Sequence, residues 1–361
     1  MNENDEQFAK QQRYGGWHFS WRWLIAIVAL VYFLVYMPTP YVIYTPGSAE
    51  SIKPLVDVKG GDDTEQGAFM LTTVRRTYAN MGLIVWHSFN SDAQFGKKQD
   101  ALQGRSEAEY ETELVFSMSG SQSNAILAAY HAANVPYDKV NTGLYVIYNL
   151  PNVSSNEFKT QDRLLSIEGQ KVNTVKEVKT IIAKYKEGQT LTVQIEREGK
   201  KQDVKAKLVR YKPYKQAENT VVGFGTTFGE KVDIVPRNPK DKITFHESDI
   251  GGPSAGLMFT LELINRLTPG DLSRGHLIAG TGEITPEGKV GMIGGVQHKV
   301  VAAHQEGASL FLVPEGNYEE AKAKVDTMDT KMKLVSVRTL QDALTAIEQL
   351  EVKAVKPDMP K

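Results

Sequence analysis

A serine and a lysine stand in settings that could make both side chains chemically active. Ser254 follows a Gly-Gly-Pro turn and opens an apolar-periodic run that predicts a helix. At the positive end of that helix dipole, the serine could cap the helix, and the unpaired backbone N–H groups around it could stabilise an oxyanion. Lys299 lies near the start of a second predicted helix, beside Val296, Val300 and Val301. Apolar neighbours and the helix dipole both disfavour the charged ammonium, so we expect an amine that can accept a proton.

Both side chains lie in the segment 220–350, where strand and helix patterns alternate as in an α/β domain. The pattern predicts strands at 220–224, 232–235, 243–245, 277–284, 309–313 and 333–337, and helices at 254–267, 296–306, 315–324 and 340–350. The segment before it, 136–210, contains two short strand patterns, an amphipathic helix pattern and a hairpin. It predicts a small β-rich domain.

An apolar run near the N-terminus predicts a membrane anchor. The residues from Trp23 to Met37 carry no charge, and apolar residues continue past two prolines to Tyr44. About twenty apolar residues can span a bilayer, and aromatic residues at both ends are typical of interfacial belts. A cleaved signal peptide is the alternative, but no small-x-small cleavage site follows the run. We therefore predict an uncleaved, single-pass anchor in the cell membrane at 23–44.

The distribution of charges and the composition predict the orientation of the chain in the membrane and exclude several kinds of partner and site. Basic residues before the anchor predict that residues 1–22 stay in the cytoplasm and that everything after the anchor is extracytoplasmic. The next segment, 45–135, gives no functional indication. The chain holds 42 Lys plus Arg against 43 Asp plus Glu, without a basic stripe, which argues against a nucleic-acid partner. The absence of cysteine excludes disulfides, thiolate metal sites and a cysteine nucleophile, and we predict no metal and no cofactor.

Three phrases in the segment 220–350, GGPSAG, TGEITPEGKV and IGGVQHKVVAAHQEGA, resemble the proteolytic domain of Lon-type serine peptidases. The segment 136–210, with DRLLSIEGQKV in its middle, resembles a PDZ domain. It departs from the usual PDZ pattern, since Gln161 precedes Asp162 where glycine is common and no Gly-Leu-Gly-Phe loop can be placed. With the anchor in front, the chain resembles the membrane-anchored PDZ–Lon peptidases of Gram-positive bacteria, including the pheromone-processing type. The resemblance implies a mixed α/β and α+β multidomain protein with a transmembrane helix, a PDZ-like domain and a C-terminal α/β Lon-type proteolytic domain.

The resemblance also implies a Ser–Lys dyad, with Ser254 as the nucleophile and Lys299 as the general base. A serine hydroxyl is a poor nucleophile until a neighbour takes its proton, and a lysine can take it only when neutral. In this resemblance, Thr281 matches the threonine that hydrogen-bonds the lysine. The supporting residues of the turn that holds the oxyanion are Gly252, Pro253 and Ala255.

Two alternatives to Lys299 as the base remain open in the sequence. Lys289 is a rival, although it follows a Pro-Glu-Gly turn that is typical of exposed positions. A Ser–His–Asp triad is the other, because Asp249 is near the serine and sequence order does not decide triad geometry. Four histidines lie in this segment: His246, His276, His298 and His304.

The chain departs from cytosolic Lon enzymes at two points. Those enzymes often carry aspartate three residues before the serine, where this chain has Gly251, and Asp249 is the open replacement. The chain has no Walker A sequence, so the resemblance implies an ATP-independent endopeptidase that cleaves extracytoplasmic peptides or flexible protein segments. A PDZ-like groove would bind substrate by strand addition, and Lon-type domains commonly form hexameric rings. The alternative function is a non-catalytic, membrane-anchored PDZ scaffold.

Overall fold

The computed structural model describes residues 21–150, 153, 156–212 and 218–353. The strands are, in chain order, β1 Pro38–Ser51, β2 Val56–Val58, β3 Ala68–Asn80, β4 Gln94–Lys97, β5 Tyr137–Asn149, β6 Arg163–Ile167, β7 Gln170–Lys171, β8 Thr190–Arg197, β9 Lys200–Lys207, β10 Val209–Tyr211, β11 Val221–Gly223, β12 Thr226–Pro236, β13 Ile243–Phe245, β14 Leu277–Gly280, β15 Glu283–Ile284, β16 Val290–Gly291, β17 Leu310–Pro314 and β18 Lys333–Val337. The helices are α1 Trp21–Tyr36, α2 Met81–His87, α3 Lys98–Leu102, α4 Glu107–Ala132, α5 Val175–Ile182, α6 Gly256–Leu267, α7 Val296–Gln305, α8 Tyr318–Val325 and α9 Leu340–Glu348.

A six-stranded sheet organises the larger unit, which we call the α/β domain and which comprises residues 38–132 and 239–353. The strand order is β18-β17-β14-β3-β1-β4. The four strands from β18 to β3 are parallel, while β1 runs antiparallel to both β3 and β4. Successive side chains of a strand face opposite sides of the sheet, so the apolar runs of β3, β14 and β17 can supply two cores.

Helices cover both faces of this sheet. On one face, α4, α6 and α9 pack over alternate strand residues such as Phe69, Leu71 and Ile278. On the other face, α7 and α8 pack over the intervening residues, including Met70 and Phe311. The sheet therefore holds the N-terminus of α6 and the first turn of α7 on opposite sides of β3 and β14.

A second sheet organises the smaller unit, which we call the β domain and which comprises residues 137–236. Its strands are antiparallel in the order β12-β5-β6-β8-β9, with β7 paired to β6. The helix α5 begins with a capping box at Thr174 and Glu177 and packs its buried face on this sheet. The mixed α/β multidomain architecture predicted from the sequence is thus confirmed.

The structure moves both domain boundaries drawn from the sequence. The segment 45–135 supplies β3 and the long helix α4 to the α/β domain, and β1 joins the same sheet, so the segment 220–350 does not form the sheet alone. Conversely, β12 closes the β domain by pairing with β5, although the sequence assigned that strand to the segment 220–350. A strand pattern does not reveal its partner, which explains both differences.

The apolar segment at 23–44 is not helical throughout. The helix α1 covers 16 residues and ends at Tyr36, and the backbone then becomes strand β1, in which Tyr44 pairs with Arg76. Prolines at 38 and 40 account for the end of the helix, because proline lacks an N–H and disfavours the helical conformation of the residue before it. Among the residues that the structure describes, no helix is long and apolar enough to cross a membrane. All but the last two residues of the predicted cytoplasmic segment 1–22 lie outside the described residues.

Candidate active site

Ser254 sits in a single 3-10 turn, Pro253–Ala255, that leads directly into α6. The chain enters this turn through Gly252, whose φ of 95° lies in a region that side-chain-bearing residues rarely adopt. Proline at the first position of the turn needs no N–H acceptor. The Gly-Pro-Ser order therefore suits this sharp entry, which places the half-buried serine in the turn directly before a buried helix.

The carbonyl of Ser254 is fixed by two donors from the loop after β14. The Thr281 hydroxyl donates to Ser254 O at 3.0 Å, and the Gly282 N–H donates to the same oxygen at 2.8 Å. In return, the Leu257 N–H donates to Gly282 O at 3.0 Å. The sequence-based assignment had Thr281 bonded to the lysine, whereas in the structure its hydroxyl holds the backbone of the serine.

Lys299 reaches the serine from α7, on the other side of the sheet. Its Nζ lies 2.9 Å from Ser254 Oγ and donates to the Thr72 carbonyl oxygen at 2.8 Å. Only 4% of the Lys299 surface is exposed. Burial lowers the pKa of Lys299 to about 7, because the charged ammonium is desolvated. At neutral pH a large fraction of this lysine is the free amine that a general base requires.

The oxyanion donors differ from the set expected from the sequence. The Gly252 N–H donates to Leu114 O at 2.9 Å, and Pro253 has no N–H. Ser254 and Ala255 belong to a first helical turn. Within this turn, the N–H groups of Ser254 and Ala255 are therefore left without a helical acceptor.

The position three residues before the serine has no room for an acid. A Cβ added to Gly251 would lie 2.9 Å from Leu114 Cβ of α4, closer than carbon atoms normally approach. Asp249, the open replacement, is exposed and lines the same cavity as Ser254. Its carboxylate is not one of the groups that hydrogen-bond Lys299 Nζ, which bonds Ser254 and Thr72.

A cavity of about 610 Å³ opens over the Ser254–Lys299 pair. Its walls come from β1, β3, α4 and the turn that carries the serine; its lining includes Tyr44, Glu50, Thr72, Arg76, Tyr110, Leu114, Met118 and Gly294. A space of this size takes a peptide segment of several residues.

The rival bases lie elsewhere. Lys289 is exposed and forms a turn in which its N–H donates to Thr285 Oγ1 at 3.2 Å. His276 contacts Ser309 Oγ at 3.1 Å and Glu351 O at 2.7 Å. His298 is buried, and desolvation lowers its pKa, but its charged neighbours are Asp92 and Lys324. His246 is exposed, and His304 is at the end of α7, one turn beyond Lys299.

Sequence reasoning missed two residues that shape the site. Thr72 of β3 supplies the carbonyl that holds Lys299, and Leu114 of α4 supplies the carbonyl that holds Gly252. Both lie in the segment 45–135, for which we predicted no function. Apolar and β-branched residues at 67–74 form a strand pattern, but the pairing of this strand beside β14 could not be inferred from it.

Comparison with known families agrees with this geometry. Residues 216–349 match the family described as Lon protease (S16) C-terminal proteolytic domain. The chain carries a Lon-type proteolytic domain. Residues 122–208 match the family described as PDZ domain. The Lon-type match includes Ser254, Thr281 and Lys299, while β1, β3 and all of α4 lie before it in the chain.

The curated relatives that this chain resembles include Lon proteases of other bacteria. The Lon protease of Campylobacter concisus is 33% identical over 129 residues, which cover 31% of this chain and 16% of that protein. The Lon protease of Haemophilus influenzae is 34% identical over 166 residues, which cover 40% of this chain and 19% of that protein. The chain therefore spans less than a fifth of the length of these relatives.

Among solved structures, the PDZ domain of the SdrC-like protein from Listeria monocytogenes is 21% identical to this chain. The match covers 25% of this chain and 90% of that structure, with a TM-score of 0.21.

Proposed function

We propose that this protein is an ATP-independent serine endopeptidase that uses Ser254 as nucleophile and Lys299 as general base. The observation that carries the proposal is the 2.9 Å approach of a buried lysine, with a pKa of about 7, to the hydroxyl of a serine at a helix start. The Lon-type domain match supports the same reaction class.

The proposed reaction has two halves. Ser254 Oγ attacks the scissile carbonyl carbon while Lys299 Nζ takes the hydroxyl proton, and the N–H groups of Ser254 and Ala255 stabilise the oxyanion. The C–N bond then breaks, the leaving amine takes the proton from Lys299, and an ester to Ser254 remains. Water attacks this ester, Lys299 takes the proton of the water, and the proton returns to Ser254 as the acid product leaves.

Four proteins test the dyad on a mixture of synthetic peptides, with cleavage products read by mass spectrometry. Wild type should cleave, whereas Ser254→Ala and Lys299→Ala should each lose at least about a thousandfold in kcat/KM. Lys289→Ala is the matched control, since it removes an exposed lysine of the same domain, and it should keep wild-type turnover. Undiminished cleavage by Lys299→Ala would refute the role of the lysine.

The β domain, which overlaps the PDZ match at residues 137–208, is proposed to bind the substrate. Its strand β12 is at the edge of the sheet, and Gly223, Phe224 and Gly225 lead into that strand beside α5. A peptide could pair with the free edge of β12, with its terminal carboxylate near the glycine-containing turn. Isothermal titration of Ser254→Ala protein with a substrate peptide and with its C-terminal amide tests this arrangement. We expect the amide to bind at least tenfold more weakly, and equal affinities would contradict carboxylate capture.

Tethering of the protein to a cell membrane, with the Lon-type domain outside the cell, is also proposed. The support is α1, none of whose residues is buried and whose large apolar side chains, including Trp21, Trp23 and Phe33, are exposed except for the half-buried Leu34. A helix that is apolar all round gains stability in an apolar environment. Cell fractionation with an alkaline carbonate wash tests the tether, and external protease digestion of intact cells tests the orientation. Recovery in the soluble fraction would contradict the tether.

A further inference from the structure

An arginine with an unsatisfied guanidinium borders the catalytic cavity at a distance from the dyad. Arg76 lies on β3, in the same strand as Thr72, and both residues line the cavity. Its Nη1 is buried and has no hydrogen-bond partner among the residues that the structure describes. The guanidinium packs on the Tyr110 ring, 4.1 Å from its centroid, and lies 5.4 Å from the centroid of Tyr78.

These surroundings hold the charge in place without neutralising it. The aromatic faces attract a cation, but they leave guanidinium N–H groups without a carboxylate. A half-buried guanidinium with an unsatisfied N–H is costly, and an incoming carboxylate would offset that cost through charge-assisted hydrogen bonds. Of the carboxylates that line the cavity, Glu50 already accepts a hydrogen bond from Ser48 Oγ, and Asp249 is exposed in the loop before the serine.

Two other cations near Arg76 are each paired with a carboxylate. Lys98 pairs with Glu107 and also lies over the Tyr78 ring. Arg105 pairs with Glu113 and lies 5.3 Å from the centroid of the Tyr110 ring. Both arginines therefore contact one tyrosine ring, and Glu113 is paired with Arg105.

The position of Arg76 in β3 predicts which residue of a bound substrate it would contact. Thr72 binds Lys299 through its carbonyl, and Arg76 follows four residues later in an extended strand. At about 3.3 Å per residue, this separation corresponds to about 13 Å, and residues two apart in a strand face the same side. A peptide lying along β3 with its scissile carbonyl at Ser254 would meet Arg76 about four residues from the scissile bond.

We propose that Arg76 forms an anion-selective subsite of the peptidase, which binds an acidic side chain of the substrate about four residues from the cleaved bond. The inference rests on the proposed function, because it names the class of substrate that the same cavity takes. Arg76 acts in binding rather than in bond cleavage, and Tyr110 positions its guanidinium.

Peptide pairs that differ only in Glu or Gln at that position provide the test. The position is first identified by mass spectrometry of the products that the full-length wild-type protein releases from a peptide mixture. With wild type, we expect kcat/KM to be about tenfold higher for the Glu peptide, which corresponds to about 1.4 kcal/mol. Arg76→Gln should bring the ratio near one, and Arg76→Glu should reverse the preference toward a Lys peptide.

Arg75→Gln is the matched control, because Arg75 is exposed and also lines the cavity, and its loss makes the same change of charge. The Glu to Gln ratio should survive in Arg75→Gln, and thermal unfolding checks that each variant folds. A wild-type protein that cleaves peptides without preference for an acidic residue, or a ratio that persists in Arg76→Gln, would overturn the subsite. A folded wild-type protein that cleaves no peptide would instead overturn the peptidase proposal.

Discussion

At the scale of single residues, the site depends on burying an amine beside a hydroxyl. Lys299 passes through the apolar layer formed by Val296 and Val300 to reach Ser254. Burial of a lysine destabilises the fold, because the unfolded chain binds a proton that the folded chain holds only weakly. The same desolvation supplies the neutral base, so function and stability oppose each other at this position.

Replacing Lys299 with methionine should therefore stabilise the protein. The folded pKa of about 7 is below the unfolded value, so between these values the unfolded state binds more protons and wild-type stability rises with pH. Lys299→Met lacks this dependence, and its advantage in Tm should be greatest at or below pH 7 and smaller at pH 9. We expect a gain of about 3 °C or more at pH 7 by calorimetry. A lower Tm than wild type at pH 7 would contradict the cost of burial.

The pH dependence of kcat/KM can show whether the Thr281 hydroxyl acts on Ser254 or on Lys299. Its hydroxyl donates to Ser254 O, so Thr281→Val should misplace the serine and lower kcat about tenfold. The midpoint of the pH dependence of kcat/KM should stay at the wild-type value, because the hydroxyl does not bond Lys299. A midpoint shifted by a full pH unit would instead support the expectation from the sequence, in which Thr281 hydrogen-bonds Lys299.

At the scale of elements, α4 decides what can stand before the serine. It packs on the turn through Leu114, whose carbonyl accepts the Gly252 N–H and whose side chain faces Gly251. The absence of an acid at position 251 is therefore explained by packing. The sequence showed the glycine but could not show the helix that opposes it, because the two are more than a hundred residues apart.

Introducing aspartate at position 251 should destabilise the protein, because its side chain would clash with Leu114. Gly251→Asp places a Cβ against Leu114 and should cost about 1–3 kcal/mol of stability, with a loss of activity. Leu114→Gly in the same chain removes the opposing Cβ and should recover part of the lost Tm, although the single change Leu114→Gly itself destabilises the helix. Denaturant unfolding of the three variants measures the coupling between the sites. A Gly251→Asp protein with wild-type stability and turnover would show that the approach of α4 is not rigid.

At the scale of the whole molecule, the α/β domain is assembled from two separate stretches of chain, 38–132 and 239–353, on either side of the β domain in the sequence. The strand, helix and turn patterns around Ser254 and Lys299 were readable from the sequence, since they repeat apolar residues with clear periods. The contribution of β1 and β3 was not, because a strand pattern carries no record of its neighbour. In particular, β1 begins at Pro38, inside the apolar segment 23–44, where hydropathy gave no indication of a strand.

The fragment 220–353 should therefore fail to fold as a unit. It lacks β3, which pairs with β14, and α4, which packs on α6. Buried side chains such as Ile278 and Leu257 would become exposed to solvent, so we expect no cooperative thermal transition by circular dichroism. A chain of residues 38–353 is the control and should unfold cooperatively. Cooperative unfolding of the short fragment would show that the sheet can form without its N-terminal strands.

If a neutral Lys299 activates Ser254, the rate at which a phosphonate reagent modifies Ser254 should depend on pH, and this rate can be measured directly. Full-length protein is treated with a small fluorophosphonate, and labelling is followed by intact mass and located by peptide mapping. We predict a single label on Ser254, a rate that rises as pH passes through about 7, and loss of labelling in Lys299→Met. Labelling of Lys299→Met at the wild-type rate, or a label on another residue, would contradict it.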